Sequence, residues 1–528
     1  MTIVFLTPPL TKPSEPGLSA AAAARMLVSA GVDARWVDAS LGWHEHVLSR
    51  RALAKCHGRL SPDTAHAFES VLRSPSPGGA LRKEETYANR HVYTSAIRDL
   101  ERALQLTAAP YPGLRLGIAM IGWDGKRVES RETLRRFASE PGPFDDYVME
   151  VLLPSLDGLC ASHVAVSLTF QQQAPAAFRI ARLLAEHRPS LRRWLGGPLV
   201  SCWHAAGFDL SGEPFAWFHQ VAAGTNEDLG VLAAEASPGI VTGFDPAPLS
   251  PRLEDVAWDS YLSPLPVVPA AVGKGCYWRR CTFCPDHQHA RHSPCSVDAL
   301  ERWLGEVASR FPQGAMVHFT DSAVPPAFLE HIAGVIRRER LPLRWHGFVR
   351  VEECLADEAF ARHLAEGGCS MLQLGVETGS PRLLERTGKG TDPDRTRRVL
   401  RSAAGAGIRN HVYLLFALPT ETDEDREMTL SLVEACGPDV LAINPALLNL
   451  PLGSPMHRHP ERFGITEMFP FGPGADLALY RDFRCGDSHP RSEARRWLGQ
   501  RFFKHSAVRR VQRHLRSPFK ANHLCFLG

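Results

Sequence analysis

No stretch of this sequence approaches the roughly 18 uninterrupted apolar residues that a membrane-spanning helix needs. The N-terminus also lacks a basic leader and a small-residue cleavage site; Met1 to Leu10 offers only a brief apolar run closed by Pro8 and Pro9, so no secretory signal is expected. Charge of one sign is missing too. Lys and Arg number 60 against 57 Asp and Glu, a net of +3, which argues against nucleic acid as a partner. Internal repeats and low-complexity tracts are absent. These gaps leave a cytoplasmic globular protein with no membrane contact. Its 528 residues exceed what one core holds, so two or three domains are expected.

Cysteine is sparse and scattered, 12 in the whole chain. In a reducing compartment such residues serve as buried thiols or metal ligands rather than disulfides. Cys276, Cys281 and Cys284 alone stand close together.

The chain opens on Thr2 to Thr7, a strand-like run. An Ala-rich helix follows from Leu18 to Ala30, stopped by Gly31, and then a second strand at Arg35 to Asp38. This β–α–β start predicts a doubly wound, Rossmann-like parallel sheet over residues 1–235. Residues 44–145 interrupt it as a helical insert, and strands resume at His163 to Phe170 and Arg192 to Leu195. A proline-rich linker covers 236–265. From there strands and amphipathic helices alternate regularly, with strands beginning near Val267, Met316, Leu343, Met371, Val412 and Val440. Six such units predict a partial (β/α)6 barrel over 266–465, with function at the C-terminal strand ends. The α/β chain closes with a short helical basic tail over 466–528; from Arg491 onward it holds ten Lys or Arg and one acidic residue. That tail reads as a solvated helical face, or as a surface for an acidic partner.

The cysteines lie in Gly273-Lys-Gly-Cys276-Tyr-Trp-Arg-Arg-Cys281-Thr-Phe-Cys284, directly after the first barrel strand. Three thiolates can hold three irons of a 4Fe–4S cluster and leave the fourth iron open. Two other readings compete. His287, His289, His292 and Cys295 follow closely enough for a zinc site, and three unrelated buried thiols would have the same spacing.

The segment GCYWRRCTFC resembles the radical S-adenosylmethionine (SAM) superfamily. Its CxxxxCxxC spacing departs from the commoner CxxxCxxC and is similar to members that carry an N-terminal cobalamin-binding-type domain. The resemblance extends along the barrel, through His318-Phe-Thr-Asp-Ser322, Leu374-Gly-Val-Glu377-Thr-Gly-Ser380, Lys389-Gly390, Leu415-Phe-Ala-Leu-Pro419-Thr-Glu-Thr422 and Leu450 to Pro455. It implies a cluster on Cys276, Cys281 and Cys284, with Tyr277, Trp278 and Phe283 shielding it. It further implies SAM contacts at Thr320, Asp321, Ser322, Arg350, Glu377 and Pro419, and an external one-electron reductant of flavodoxin or ferredoxin type. Taken singly, Glu377 also reads as a surface carboxylate and Asp321 as a helix cap.

Residues 1–235 resemble the cobalamin-binding-type domain more loosely, through Ser167, Thr169, Gly196, Gly197, Gly224 and Glu227. The DxHxxG motif that supplies a cobalt-ligating His in some such domains is absent; His44 and His46 read as solvated helix residues. The resemblance implies a cobalamin-dependent radical methyltransferase acting on an unactivated carbon of a small molecule or peptide. A non-methylating radical enzyme with a vestigial cobalamin domain, performing cyclisation, epimerisation or oxidation, is the alternative. A non-catalytic metal-binding regulator is the remote one.

Overall fold

The computed structural model describes residues 1–74, 76–223, 226–236, 247–288, 292–512 and 518–527. Strand β1 (Thr2–Thr7) is buried almost throughout, as a central parallel strand must be. The helix Leu18–Ser29 follows it, and Gly31, at φ +83°, turns the chain back into β2 (Ala34–Asp38). The insert packs several helices, the longest Arg90–Ala108, around a hairpin of β3 (Leu114–Gly117) and β4 (Met120–Trp123). Strands β5 (Ala161–Ser167), β6 (Arg192–Gly196) and the two-residue β7 (Gln220–Val221) complete a parallel sheet of order β2-β1-β5-β6-β7. This is the 2-1-3-4-5 order of doubly wound sheets that hold a ligand where the order reverses, beside the first strand.

Two local features were not anticipated from sequence. After β6, Pro198 opens a helix to Ala205, with a proline at its first turn where a missing N–H costs nothing. His44 is not solvated. It is buried in the helix Ala39–Val47, its Nδ1 2.8 Å from the Ser40 carbonyl, and burial lowers its pKa to about 4.

The second sheet is a run of consecutive parallel strands: β8 (Val267–Ala270), then β11 (Ala315–Phe319), β12 (Leu343–Arg350), β13 (Cys369–Glu377), β14 (Arg409–Phe416) and β15 (Ala442–Leu447). Between β8 and β11 a two-residue ladder of β9 (Gly273–Lys274) and β10 (Ser293–Pro294) closes the cysteine loop at its base. The intervening helices are well capped. Ser296 accepts from the Ala299 N–H, Asp392 from Arg395, and Thr422 forms a capping box with Asp425. Odd positions of β11 and β12, such as Val317, Phe319 and Trp345, pack against these helices. Even positions, such as Met316, His318 and His346, face the barrel interior. The protein is thus an α/β chain with an N-terminal doubly wound sheet and a partial (β/α)6 barrel.

The tail holds more than the helices expected of it. Its strands β17 (Glu467–Phe469) and β18 (Tyr480–Arg484) join β16 (Leu450–Pro451), from the end of the barrel segment, in a small antiparallel sheet. Its basic residues are partly satisfied internally: Arg491 is buried and donates to the Leu448 carbonyl, and Arg501 pairs with Glu427. The last residues run under the barrel, where Phe519, Leu524, Cys525 and Leu527 join one core with Met316, Met371 and the insert's Tyr87 and Tyr93.

Candidate active site

The cysteine loop leaves β8 and is pinned at four places. At its start, the Asp321 carboxylate accepts from the Val272 and Gly273 amides, both at 3.0 Å. Burial raises the Asp321 pKa to about 6, and those two amides oppose the shift. Asp321 therefore shapes the loop and does not cap the next helix, whose N-cap is Pro325. Further on, the Trp278 indole donates to the Gly388 carbonyl at 2.9 Å, and the Thr282 amide donates to Thr387 at 2.9 Å. The Met456 amide donates back to the Thr282 carbonyl. Phe283 packs into a small apolar cluster with Leu383, Leu418 and Met456, so it anchors the loop.

Glycines permit this docking. A Cβ on Gly390 would sit 2.1 Å from the Trp278 ring, and one on Gly388 would sit 2.4 Å from the Arg280 carbonyl. Both also have positive φ, which favours glycine.

Arg350, buried at the end of β12, organises the middle of the loop. Its guanidinium lies 3.8 Å over the Trp278 ring and donates to Glu352 and to the Lys389 carbonyl. One Nη stands 3.9 Å from the Cys281 sulfur. The Tyr277 hydroxyl donates to the same Glu352 at 2.8 Å. Burial raises the pKa of Cys281, partly offset by Lys389 and Arg350, and pushes Cys284 up to about 12. Cys284 also feels the charges of Cys281 and Cys276, so the three thiols are mutual neighbours.

Among the described residues no set of three or more His, Cys, Asp or Glu converges as a site for a single metal ion. A four-iron cluster asks for something else, three thiolates spread over the corners of a cube. Three neighbouring half-buried thiols with two cations beside them fit such a cluster, since the cations offset the charge of ionised thiolates. Of the alternative zinc set, His289 lies outside the described residues, as does the side chain of His287. His292 bonds instead through Nδ1 to the Gly275 carbonyl.

Glu377 ends β13 at φ +67°, and Lys389 donates to its carboxylate at 2.7 Å. Thr320 turns back to the Ala270 carbonyl, Ser322 is exposed, and Pro419 is buried. Glu377, Lys389 and Arg350 thus lie near the Cys281 thiol, whereas Asp321 and Phe283 hold the loop itself.

In the N-terminal sheet, the Ser19 hydroxyl lies 2.7 Å from Ser167 Oγ and 3.0 Å from Thr169 Oγ1, gathering three hydroxyls where the strand order reverses. Gly197, at φ +98°, passes so close to β5 that a Cβ would meet the Leu168 backbone at 2.6 Å; at Gly196 a Cβ meets only Ala222, at 3.8 Å. Phe170 and Met120 stay exposed nearby. Gly224 and the side chain of Glu227 lie outside the described residues. Cys202, on the helix after Gly197, feels the charge of Asp286 in the cysteine loop, and Tyr480 feels both Cys202 and Cys284. The helix after Gly197 therefore lies near the cysteine loop. Ser19 and Glu352 were not legible in the sequence, because Ser19 meets Ser167 and Glu352 meets Tyr277 across long stretches of chain.

Residues 271–433 match the sequence profile of the Radical SAM superfamily. Over 213 residues, 36% of this chain, the sequence is 26% identical to an uncharacterized methyltransferase of Pyrococcus horikoshii, 44% of whose length is matched. Over 112 residues it is 33% identical to an uncharacterized protein of Methanopyrus kandleri, covering 21% of each chain. The matches thus span less than half the length of these curated relatives. Among solved structures, the radical S-adenosylmethionine methyltransferase TsrM of Kitasatospora setae, with cobalamin and a 4Fe–4S cluster bound, aligns over 86% of this chain and 77% of its own. Its TM-score is 0.49 at 16% identity. OxsB, a cobalamin-dependent S-adenosylmethionine radical enzyme solved with aqua-cobalamin and S-adenosylmethionine, aligns over 63% of this chain and 57% of its own, with TM-score 0.48 and 15% identity. On its barrel, with the three cysteines and the Glu377 strand end both inside residues 271–433, this chain carries a radical SAM domain.

Proposed function

We propose that the protein is a radical SAM enzyme that uses cobalamin to methylate an unactivated carbon of a small molecule or peptide. The observation that carries this reading is the presence in one chain of a three-cysteine loop after the first barrel strand and of a cluster of three hydroxyls at the reversal point of a 2-1-3-4-5 sheet. The solved TsrM and OxsB carry cobalamin, and the Pyrococcus relative is named a methyltransferase.

Cys276, Cys281 and Cys284 would hold the cluster, with Arg350 and Lys389 balancing its charge. Glu377, held by Lys389, offers a carboxylate to the polar groups of SAM. Trp278, stacked under Arg350, and Tyr277 keep water from the loop. When bound, the cluster and SAM supply a 5′-deoxyadenosyl radical and the corrinoid a methyl carrier, while the protein supplies position and exclusion of water. Ser19, Ser167 and Thr169 would receive the polar edge of the corrinoid, and Phe170 and Met120 an apolar one. The electron would come from an external flavodoxin- or ferredoxin-type protein.

Anaerobic reconstitution tests this. The protein should take up about four irons and four sulfides, bind a corrinoid, and with dithionite and SAM release 5′-deoxyadenosine. Replacing the three cysteines together by Ala should abolish the iron. Glu377→Ala should weaken SAM binding and leave the iron in place. Iron that survives the triple substitution, or a preparation holding only zinc, would overturn the reading.

A further inference from the structure

The middle of the barrel interior is polar, unlike the closed eight-stranded barrel, whose interior is filled by branched apolar side chains. Four consecutive strands contribute to one row: His318 from β11, His346 from β12, Gln373 from β13 and His411 from β14. All four are at least nine-tenths buried, with exposures of 7%, 0%, 0% and 1%. The rings of His318 and His346 stack with centroids 4.3 Å apart.

The row's hydrogen bonds are incomplete. The Tyr413 hydroxyl donates to Gln373 Oε1 at 2.7 Å, which turns the Gln373 amide N–H toward His346 Nδ1 at 3.3 Å. The proton of His346 must then sit on Nε2. Glu15, from the loop after β1, accepts from His318 Nδ1 at 2.8 Å, and the Asn522 amide of the C-terminal tail holds Glu15 in turn. With Nδ1 engaged by Glu15, His318 has only Nε2 left to meet another group. Among the described residues, His318 Nε2, His346 Nε2 and both nitrogens of His411 have no hydrogen-bond partner. Four such atoms in one buried row call for an occupant, because native folds leave very few polar groups unmet.

The character of the occupant follows from the surroundings. Burial and the neighbouring imidazoles hold His346 well below the ordinary histidine range, and burial with Lys520 and Lys12 holds His411 at about 3, so both are neutral. Lys12 is tied to Asn522, and the Glu15 carboxylate stands against the cations. Beside the row, the Phe348 and Tyr413 rings pack with centroids 5.1 Å apart and, like Asn444, are only half-buried, so part of each side chain remains accessible.

We propose that His318, His346 and His411 form a specificity subsite that receives an uncharged, flat, hydrogen-bonding group of the substrate, with Glu15 of the N-terminal domain fixing the tautomer of His318. Its assignment as a substrate subsite rests on the radical reading of the barrel.

The test uses the full reconstituted chain with benzamide and benzoate as size-matched probes, observed by saturation-transfer NMR, and thermal melts of the same samples. Benzamide should bind and benzoate should not. His411→Leu should cut benzamide binding severalfold while raising Tm by about 2 °C or more, since an apolar group replaces two unmet buried nitrogens. His346→Leu, which also strips a partner from Gln373, should lose the probe without the gain in Tm. Glu15→Gln should weaken binding less than either. No benzamide binding, a preference for benzoate, or a lowered Tm in His411→Leu would overturn the subsite. Iron content separates the two readings. Protein that binds benzamide through His411 yet never takes up four irons sinks the radical chemistry and leaves the subsite; iron-loaded protein that ignores benzamide does the reverse.

Discussion

Gly390 shows how much of the cysteine loop depends on one missing side chain. Its φ of +71° lies in the left-handed region, and a Cβ there would overlap the Trp278 ring at 2.1 Å. The backbone strain alone costs about 1–2 kcal/mol for a non-glycine residue, and the overlap is relieved only by moving the indole off the Gly388 carbonyl. Gly390→Ala is therefore expected to lower cluster loading by about half or more, through the lost close approach, and to shift tryptophan emission. Iron and sulfide analysis beside a fluorescence spectrum checks this, and full loading with an unchanged spectrum would contradict it. The cysteine loop could be singled out from sequence because its three cysteines lie within nine residues, and Glu377 and Arg350 were proposed only through the family resemblance. The contact that Asp321 makes with the loop was not legible there. Asp321 lies 48 residues beyond Gly273, and only the fold shows that its carboxylate holds the start of the loop.

At the scale of elements, the crevice of the first sheet depends on two glycines with different duties. Gly197 must be glycine for the turn after β6 to pass β5. Gly196 has room for a Cβ beside Ala222, so a larger side chain would crowd that strand end and leave the turn at Gly197 intact. Gly196→Trp is expected to lose corrinoid while keeping its iron, as judged by absorbance and metal analysis. With no DxHxxG motif, the cob(II)alamin form should show no splitting from a protein nitrogen in its paramagnetic resonance spectrum. Wild-type protein that fills its cluster but takes up no corrinoid would leave the methylase reading without support. The regular helices and strands of the barrel were readable from periodicity and caps. The helix Pro198–Ala205 was not, because a short apolar stretch between glycines carries too few turns to show a period.

For the whole molecule, the C-terminal residues act as a strap. Phe519, Leu524, Cys525 and Leu527 are each 5% exposed or less, within a core shared by the insert and the barrel floor. Burying such side chains is worth about 1.5–3 kcal/mol apiece, which in sum rivals the 5–15 kcal/mol that holds a typical domain together. Deleting residues 518–528 is expected to give protein that aggregates or melts far below wild type in a thermal scan; an unchanged Tm would refute the strap. Buried titratable groups set the pH response. His44, His411 and His523 fold neutral, with pKa values lowered from 6.5 to about 4, 3 and 3 by burial. Their contribution is complete above pH 6.5 and is lost as pH falls toward those values. Asp38 and Asp321 are raised to about 6 and Glu421 to about 7, also chiefly by burial. These carboxylates act oppositely, their contribution declining as pH rises from about 4 to those values. Urea melts should therefore find a nearly level stability between about pH 4.5 and 6.5, where the two sets offset, and a steep loss below pH 4. A steady climb from pH 4 to 7 would contradict the carboxylate assignments.

By itself the sequence determined the α/β class, the order of the two sheets, the cysteine loop and its place after the first barrel strand. All of these are written in contiguous segments, where apolar period, caps and close motif spacing act over a few residues. The tertiary structure alone decided what lies next to what across long separations. It brings Glu15 to His318 and Asn522, sets Ser19 against Ser167, and turns the crevice helix toward the cysteine loop. It also turns a tail that reads as a solvated basic face into the floor under the barrel. Those pairings depend on how layers pack and where apolar surface remains to be covered, and no local pattern in a chain of 528 residues records that.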